Sequence, residues 1–206
     1  MLVSVGFPLA LNKFLSSQTI PGCPAMDLSG GVDPSQTVAI WQDQTVTPPK
    51  SLTMVLGGKD RRVLGTTSAA KWIEIDLTAQ RLTAHQGDEV FLESPISSGL
   101  WNRTPVGEFE IYYKITSTKM EGGSRLNKTY YYLPNVPFSM FFFGDFGIHG
   151  TYWHSNFGTP MSHGCVNAPT GVAEKLFYWS GPHIEGKDTI VRSDQDNPGT
   201  KVVIHY

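Results

Sequence analysis

The chain has 206 residues and a formal net charge of −2, with 16 Lys and Arg against 18 Asp and Glu. That balance excludes the basic footprint of a nucleic-acid-binding protein and any acidic tail. Glycine and proline, 21 and 14 in number, beside charged residues at only 17%, suit turns and short strands better than a helical bundle. Hydrophobic residues at 40% suffice for one core, and no apolar run reaches the roughly 18 residues of a spanning helix.

The apolar opening, residues 1–11, is followed by Lys13 rather than preceded by a positive charge, so it makes no convincing signal peptide. Residues 1–66 carry Pro8, Pro21, Pro24, Pro34, Pro48 and Pro49 among many Gly, Ser and Thr residues. They read as an N-terminal extension of unknown role, with short strands expected at 38–41 and 52–56. From Lys71 apolar and polar residues alternate, which predicts hairpin strands at 72–77, 81–85 and 89–94, then one strand at 108–115. A flexible loop is expected at 120–124, and two aromatic, β-prone runs at 130–133 and 138–143. One helix is expected from Thr170, with Thr170 as its cap, Glu174 in its first turn, and Val172, Leu176 and Trp179 on one face. Gly181-Pro182 ends it, and a final strand follows at 201–206. Residues 67–206 therefore read as one mainly β domain.

The chemistry concentrates in 148–167, which holds His149, His154, His163 and Cys165. A thiol attacks as its thiolate, and a nearby imidazole can take the proton. Gly164 permits close approach of a backbone or substrate beside that thiol. A lone cysteine is most often a small buried hydrophobe, but Cys165 sits among glycine and polar residues outside any apolar periodic run. Zinc is the competing reading of the same histidines. It lacks support, because no Glu follows His149, Gly150 opposes the helix of an H-E-x-x-H site, and neither Cys23 nor Cys165 sits in a CxxC pair. The sequence thus assigns no metal.

Ser162-His163-Gly164-Cys165-Val166-Asn167, preceded by His149 and a spacer of twelve residues, resembles the catalytic signature of the L,D-transpeptidases, the YkuD domain. The likeness extends back through the Trp72 to His85 hairpin, Ser97-Ser98-Gly99 and Thr104-Pro105-Val106-Gly107-Glu108-Phe109. Forward it takes in the helix after Cys165 and the terminal strand, so it covers about 67–206 and leaves out 1–66. Gly150 stands where some members carry a hydroxyl residue, which leaves open whether a side chain or a backbone carbonyl orients His149.

The resemblance implies an L,D-transpeptidase-like β-sandwich of mixed sheets with one short helix after the cysteine loop. It implies Cys165 as nucleophile and His149 as base. His163 and Gly164, with Cys165, would supply backbone N–H groups to an oxyanion, while Ser162 and Asn167 would hold the loop. His154, Tyr152 and Trp153 would line an acyl pocket. The implied function is transfer of the acyl group of a peptidoglycan tetrapeptide stem, through a cysteine acyl-enzyme, to an amine acceptor. An L,D-carboxypeptidase, another thiol hydrolase of wall peptides, and a non-catalytic wall-binding module are the alternatives. No cofactor is required, the partners are peptidoglycan stem peptides, and a monomer outside the cytoplasmic membrane is expected.

Overall fold

The computed structural model describes residues 29–52 and 69–206. The apolar opening, Cys23, and all but the first residue of the strand expected at 52–56 lie outside them. In chain order the described strands are β1 (Ala39–Trp41), β2 (Gln44–Val46), β3 (Lys71–Asp76), β4 (Arg81–Gln86), β5 (Glu89–Pro95) and β6 (Gly107–Glu110). There follow β7 (Tyr113–Gly122), β8 (Tyr131–Phe143), β9 (Phe146–Thr151), β10 (Val166–Pro169), the helix α1 (Thr170–Trp179), β11 (Ile190–Arg192) and β12 (Lys201–His205).

The alternating segments pair as a five-stranded sheet in the order β5-β4-β3-β12-β6, with β12 parallel to β3 and the other pairs antiparallel. The second sheet is built around β8, which pairs with β7 along one edge and with β9 and β1 along the other. Beyond them β10 runs parallel to β9, β11 pairs with β7, and β2 pairs with β1. The protein is therefore a mainly β sandwich of two mixed sheets.

The core lies between the sheets and under α1. Ile73, Ile75, Leu82, Val202 and Ile204 meet Phe138, Met140, Phe142, Ile148 and Val166, and α1 adds Leu176, Phe177 and Trp179. Each side chain of this size stabilises the fold by about 1.5–3 kcal/mol when fully buried. The β8 sheet is also covered on its other face, where Tyr113, Ile115, Leu133, Phe141 and Trp153 form a second cluster. Burial on both faces explains why β8 reads as continuous aromatic runs rather than as an alternation.

Four expectations change. The strand expected at 108–115 is two strands in different sheets: Ile111 N–H donates to Thr200 O at 3.0 Å, and Tyr112 N–H already donates to Phe141 O at 2.9 Å. Alternation continues through this switch, so periodicity alone does not reveal it. The runs at 130–133 and 138–143 are one strand, carried through Pro134 and Pro137 by left-handed backbone at Asn135 and Phe138 (φ 57° and 54°). The loop expected at 120–124 starts late, because Met120–Gly122 still pair with β8. The helix begins after Pro169 with no side-chain cap; Thr170 Oγ1 donates instead to Thr151 O at 3.3 Å, and Glu174 is buried rather than in the first turn.

The C-terminal end of α1 is held by lysines. The buried Lys114 ammonium donates to Phe177 O and, at 2.8 Å, to Ser180 O, while Lys71 Nζ reaches Trp179 O at 3.0 Å. Cations there satisfy the last carbonyls and oppose the negative end of the helix dipole. Burial, with Lys71 nearby as a smaller cause, lowers the Lys114 pKa to about 7.

Candidate active site

The site grows from the parallel pair β9 and β10, in register Ile148↔Val166, His149↔Asn167 and Ala168↔Gly150. Alternation sends Ile148, Val166 and Ala168 into the sandwich core. It sends His149 and Asn167 the other way, into a cleft of about 210 Å³ that Cys165, one residue before β10, also enters. Ser162, His163 and Asp145 complete the polar wall, and Trp41, Met120, Tyr131, Leu133, Phe146 and Trp153 the apolar one.

The segment before Cys165 is fixed by hydrogen bonds to the Ser97-Ser98-Gly99 bend. Ser97 and Asn167 exchange backbone bonds at 2.9 Å each way, Ser98 O accepts from Met161 and Ser162 N–H, and Leu100 N–H donates to Ser162 O at 2.9 Å. Gln80 holds the bend from behind, accepting Ser98 N–H at 2.9 Å and donating to Ser98 Oγ at 2.8 Å. Thr104 Oγ1 joins both pieces: it accepts Gly99 N–H and donates to Gly164 O, each at 2.8 Å. Gly164 has φ +143°, and a Cβ there would lie 2.1 Å from the Phe146 ring, so a side chain is excluded twice over. Ser162 Oγ closes the turn, donating to Cys165 O at 2.5 Å and accepting Gly164 N–H at 3.0 Å.

Cys165 is half-buried, and its thiol donates to Asp145 O at 3.6 Å. His149 is 2% exposed, and burial lowers its pKa to about 4, against a weaker opposing effect of the Gly150 carbonyl. Its Nδ1 lies 3.2 Å from Gly150 O, so a backbone carbonyl holds the Nδ1–H tautomer and leaves the lone pair on Nε2. Burial also takes His154 to about 4 and lowers His163, the latter with help from Arg103. All three rings are therefore neutral at neutral pH. Burial raises the Asp145 pKa.

Of the other residues singled out in the sequence, Trp153 lines the cleft, while Tyr152 and His154 do not. The Tyr152 hydroxyl donates to Pro134 O at 2.6 Å. His154 stands behind the wall, its Nε2 hydrogen-bonded to the Asn167 side-chain amide at 2.9 Å and its ring 5.2 Å from Trp41. The Gly164 N–H, expected to face an oxyanion, is taken by Ser162 Oγ. Sequence reasoning missed Trp41, Asp145, Tyr131 and Met120, which no local motif marks. Among the described residues no group of three or more His, Cys, Asp and Glu side chains is placed to hold a metal ion.

The family model of the L,D-transpeptidase catalytic domain (YkuD) matches residues 70–204. The chain belongs to the L,D-transpeptidase family. Solved structures of L,D-transpeptidases share its fold. One from Mycobacterium smegmatis is 21% identical, with a TM-score of 0.54 over 67% of this chain and 59% of that one. A cysteine-to-serine mutant of the Enterococcus faecium L,D-transpeptidase is 28% identical, with a TM-score of 0.51 over 66% of this chain and 50% of that one. The Ldtfm–avibactam carbamoyl enzyme is also 28% identical, with a TM-score of 0.51 over 66% and 49%. The chain thus spans about half to three fifths of the length of these L,D-transpeptidases. No curated protein matches it.

Proposed function

We propose that the chain is a peptidoglycan L,D-transpeptidase that works through a thioester on Cys165. The reading is carried by one observation: the parallel register that buries Ile148 and Val166 turns His149, Asn167 and the adjacent Cys165 into a single cleft. His149 Nε2 takes the Cys165 proton as the sulfur attacks the carbonyl of a tetrapeptide stem, forming the C–S bond and a tetrahedral oxyanion. Backbone N–H groups of the turn at 163–165 stabilise that oxyanion, with Gly164 N–H contributing once it is released from Ser162 Oγ. As the C–N bond breaks, the imidazolium returns its proton to the departing D-residue amine. An incoming amine then attacks the thioester, His149 takes its proton, and the cysteine leaves as the product amide forms. Thiol, imidazole and backbone amides suffice, so no step needs a cofactor. Such a substrate lies outside the cytoplasmic membrane, which is where we place the protein. Among the described residues, no helix is long and apolar enough to cross a membrane.

The test is purified protein incubated with tetrapeptide muropeptides, the products read by mass spectrometry. Cross-linked dimer with release of the terminal residue is expected. Tripeptide alone would make the protein an L,D-carboxypeptidase, and binding without product would leave a wall-binding module.

A further inference from the structure

We propose that the β1–β2 hairpin is a working part of the active site and that Trp41 is a specificity-determining residue, the wall on which the acyl-donor stem peptide lies. This rests on the transpeptidase reading above. The hairpin lies outside residues 70–204, which match the family. It nevertheless joins the site's own sheet: Ile40 pairs with Tyr132 on the same β8 edge that carries β9 further along, where Met140 pairs with Ile148. The cleft therefore opens beside both strands, and Trp41 lines it together with Cys165 and His149.

The attachment is built into the domain. Asn135, buried in β8 with left-handed backbone, accepts Asp33 N–H and donates to Asp33 O and Pro49 O, each at 2.9 Å. One side chain so clips the two ends of the segment carrying the hairpin, and Tyr132 OH adds a bond to Gln36 Oε1 at 2.9 Å. Without that segment a buried amide in the heart of β8 would have none of these partners, a costly arrangement. Rigid placement matters for a side chain that shapes a cleft.

Among the described residues the lining contains no Lys or Arg, and what it offers a bound peptide is aromatic contact and hydrogen bonding. Trp41, Tyr131, Phe146 and Trp153 supply the large flat surfaces, and of these four Trp41 alone comes from outside the family domain. The ring also packs on His154, which in turn holds the Asn167 amide. Its flat apolar face fits the peptide planes and alanine methyl groups of a stem peptide, leaving the charged side chains of the stem to face water.

The experiment compares wild type, Trp41→Ala, Trp41→Phe and Trp41→Leu, the last keeping an apolar plug should alanine impair folding. Tetrapeptide kinetics are measured beside the rate at which iodoacetamide alkylates Cys165, located by peptide mapping. Removing the ring should raise KM about tenfold, with kcat and Cys165 alkylation within about threefold of wild type and Phe retaining most affinity. Unchanged KM in both Ala and Leu variants overturns the proposal. So does a parallel loss of turnover and alkylation in the folded Leu variant, which would make Trp41 a scaffold for the cysteine loop. A wild type that alkylates normally but leaves tetrapeptide intact instead overturns the transpeptidase reading, and the role of Trp41 falls with it.

Discussion

Asn167 and His149 are register partners across the parallel strands β10 and β9, and both side chains enter the cleft that Cys165 shares. This juxtaposition is locked by the opposite face, where Ile148 and Val166 are fully buried. A slip of one residue would turn the imidazole into the core and a core side chain into the cleft, so packing fixes the geometry of the chemistry.

Replacing Cys165 by Ala or Ser should abolish acyl transfer and leave the fold intact, since the half-buried thiol reaches the Asp145 carbonyl only at a long 3.6 Å. Iodoacetamide should end turnover and dialysis against a strong chelator should not. Intact-protein mass after exposure to a carbapenem should show one adduct that is lost in Cys165→Ala. An adduct persisting there would place the nucleophile elsewhere.

For His149→Ala, acylation should slow by roughly two to four orders of magnitude, the usual scale of general acid–base catalysis. Burial holds His149, the proposed base, at a pKa of about 4, so its protonation should impose an acid limb on kcat/KM only as pH falls through about 4. Rapid-quench acylation, followed from neutral pH down to the acid limit of the fold, reads that limb. A wild-type limb near the ordinary histidine value of 6.5 would contradict the buried, neutral ring.

Stability should follow the same burial. His149 and His154 are held at about 4, against 6.5 in an unfolded chain. Between those values the unfolded chain binds protons that the folded chain refuses, so this contribution is complete above 6.5 and diminishes as pH falls toward 4. Urea midpoints measured across this window should drop for wild type and drop less for His149→Gln or His154→Gln. Identical slopes in all three would refute the account.

Thr104→Val keeps the shape but removes the hydroxyl that joins Gly99 N–H to Gly164 O. A loss of about 1–3 kcal/mol in stability is expected, because two buried backbone groups lose a partner. Turnover should fall more than tenfold, since misplacing a reacting group by about 1 Å has effects of that order or larger. Thr104→Ser should recover both.

Lys114→Met should destabilise the fold by about 2–4 kcal/mol, leaving Phe177 O and Ser180 O without their donor. It lies on the α1 side of the protein, so activity per folded molecule should hold. Thermal melts and turnover at a temperature well below the transition check both halves.

The sequence was most legible where residues that act together are also neighbours in the chain. Ser162 to Asn167 form one turn and one strand start, so the motif could be read before any contact was known. The hairpin strands β3 and β4 were equally open to reading, because one buried face imposes a period of two. The helix could be found but not its caps: the side chains that finish α1 are Lys71 and Lys114, far upstream. The switch of sheets between Ile111 and Tyr112 leaves the alternation intact, and β8 hides its unity behind two prolines and burial on both faces. Trp41 and Asp145 come to the cleft of Cys165 through pairings on β8, and the Nδ1 proton of His149 is held by a carbonyl that no side-chain pattern encodes. Local alternation and a contiguous motif determined the hairpins and the family signature around Cys165. Long-range strand pairing decided which side chains surround it and how far burial shifts its histidines, because those depend on partners that are distant in sequence.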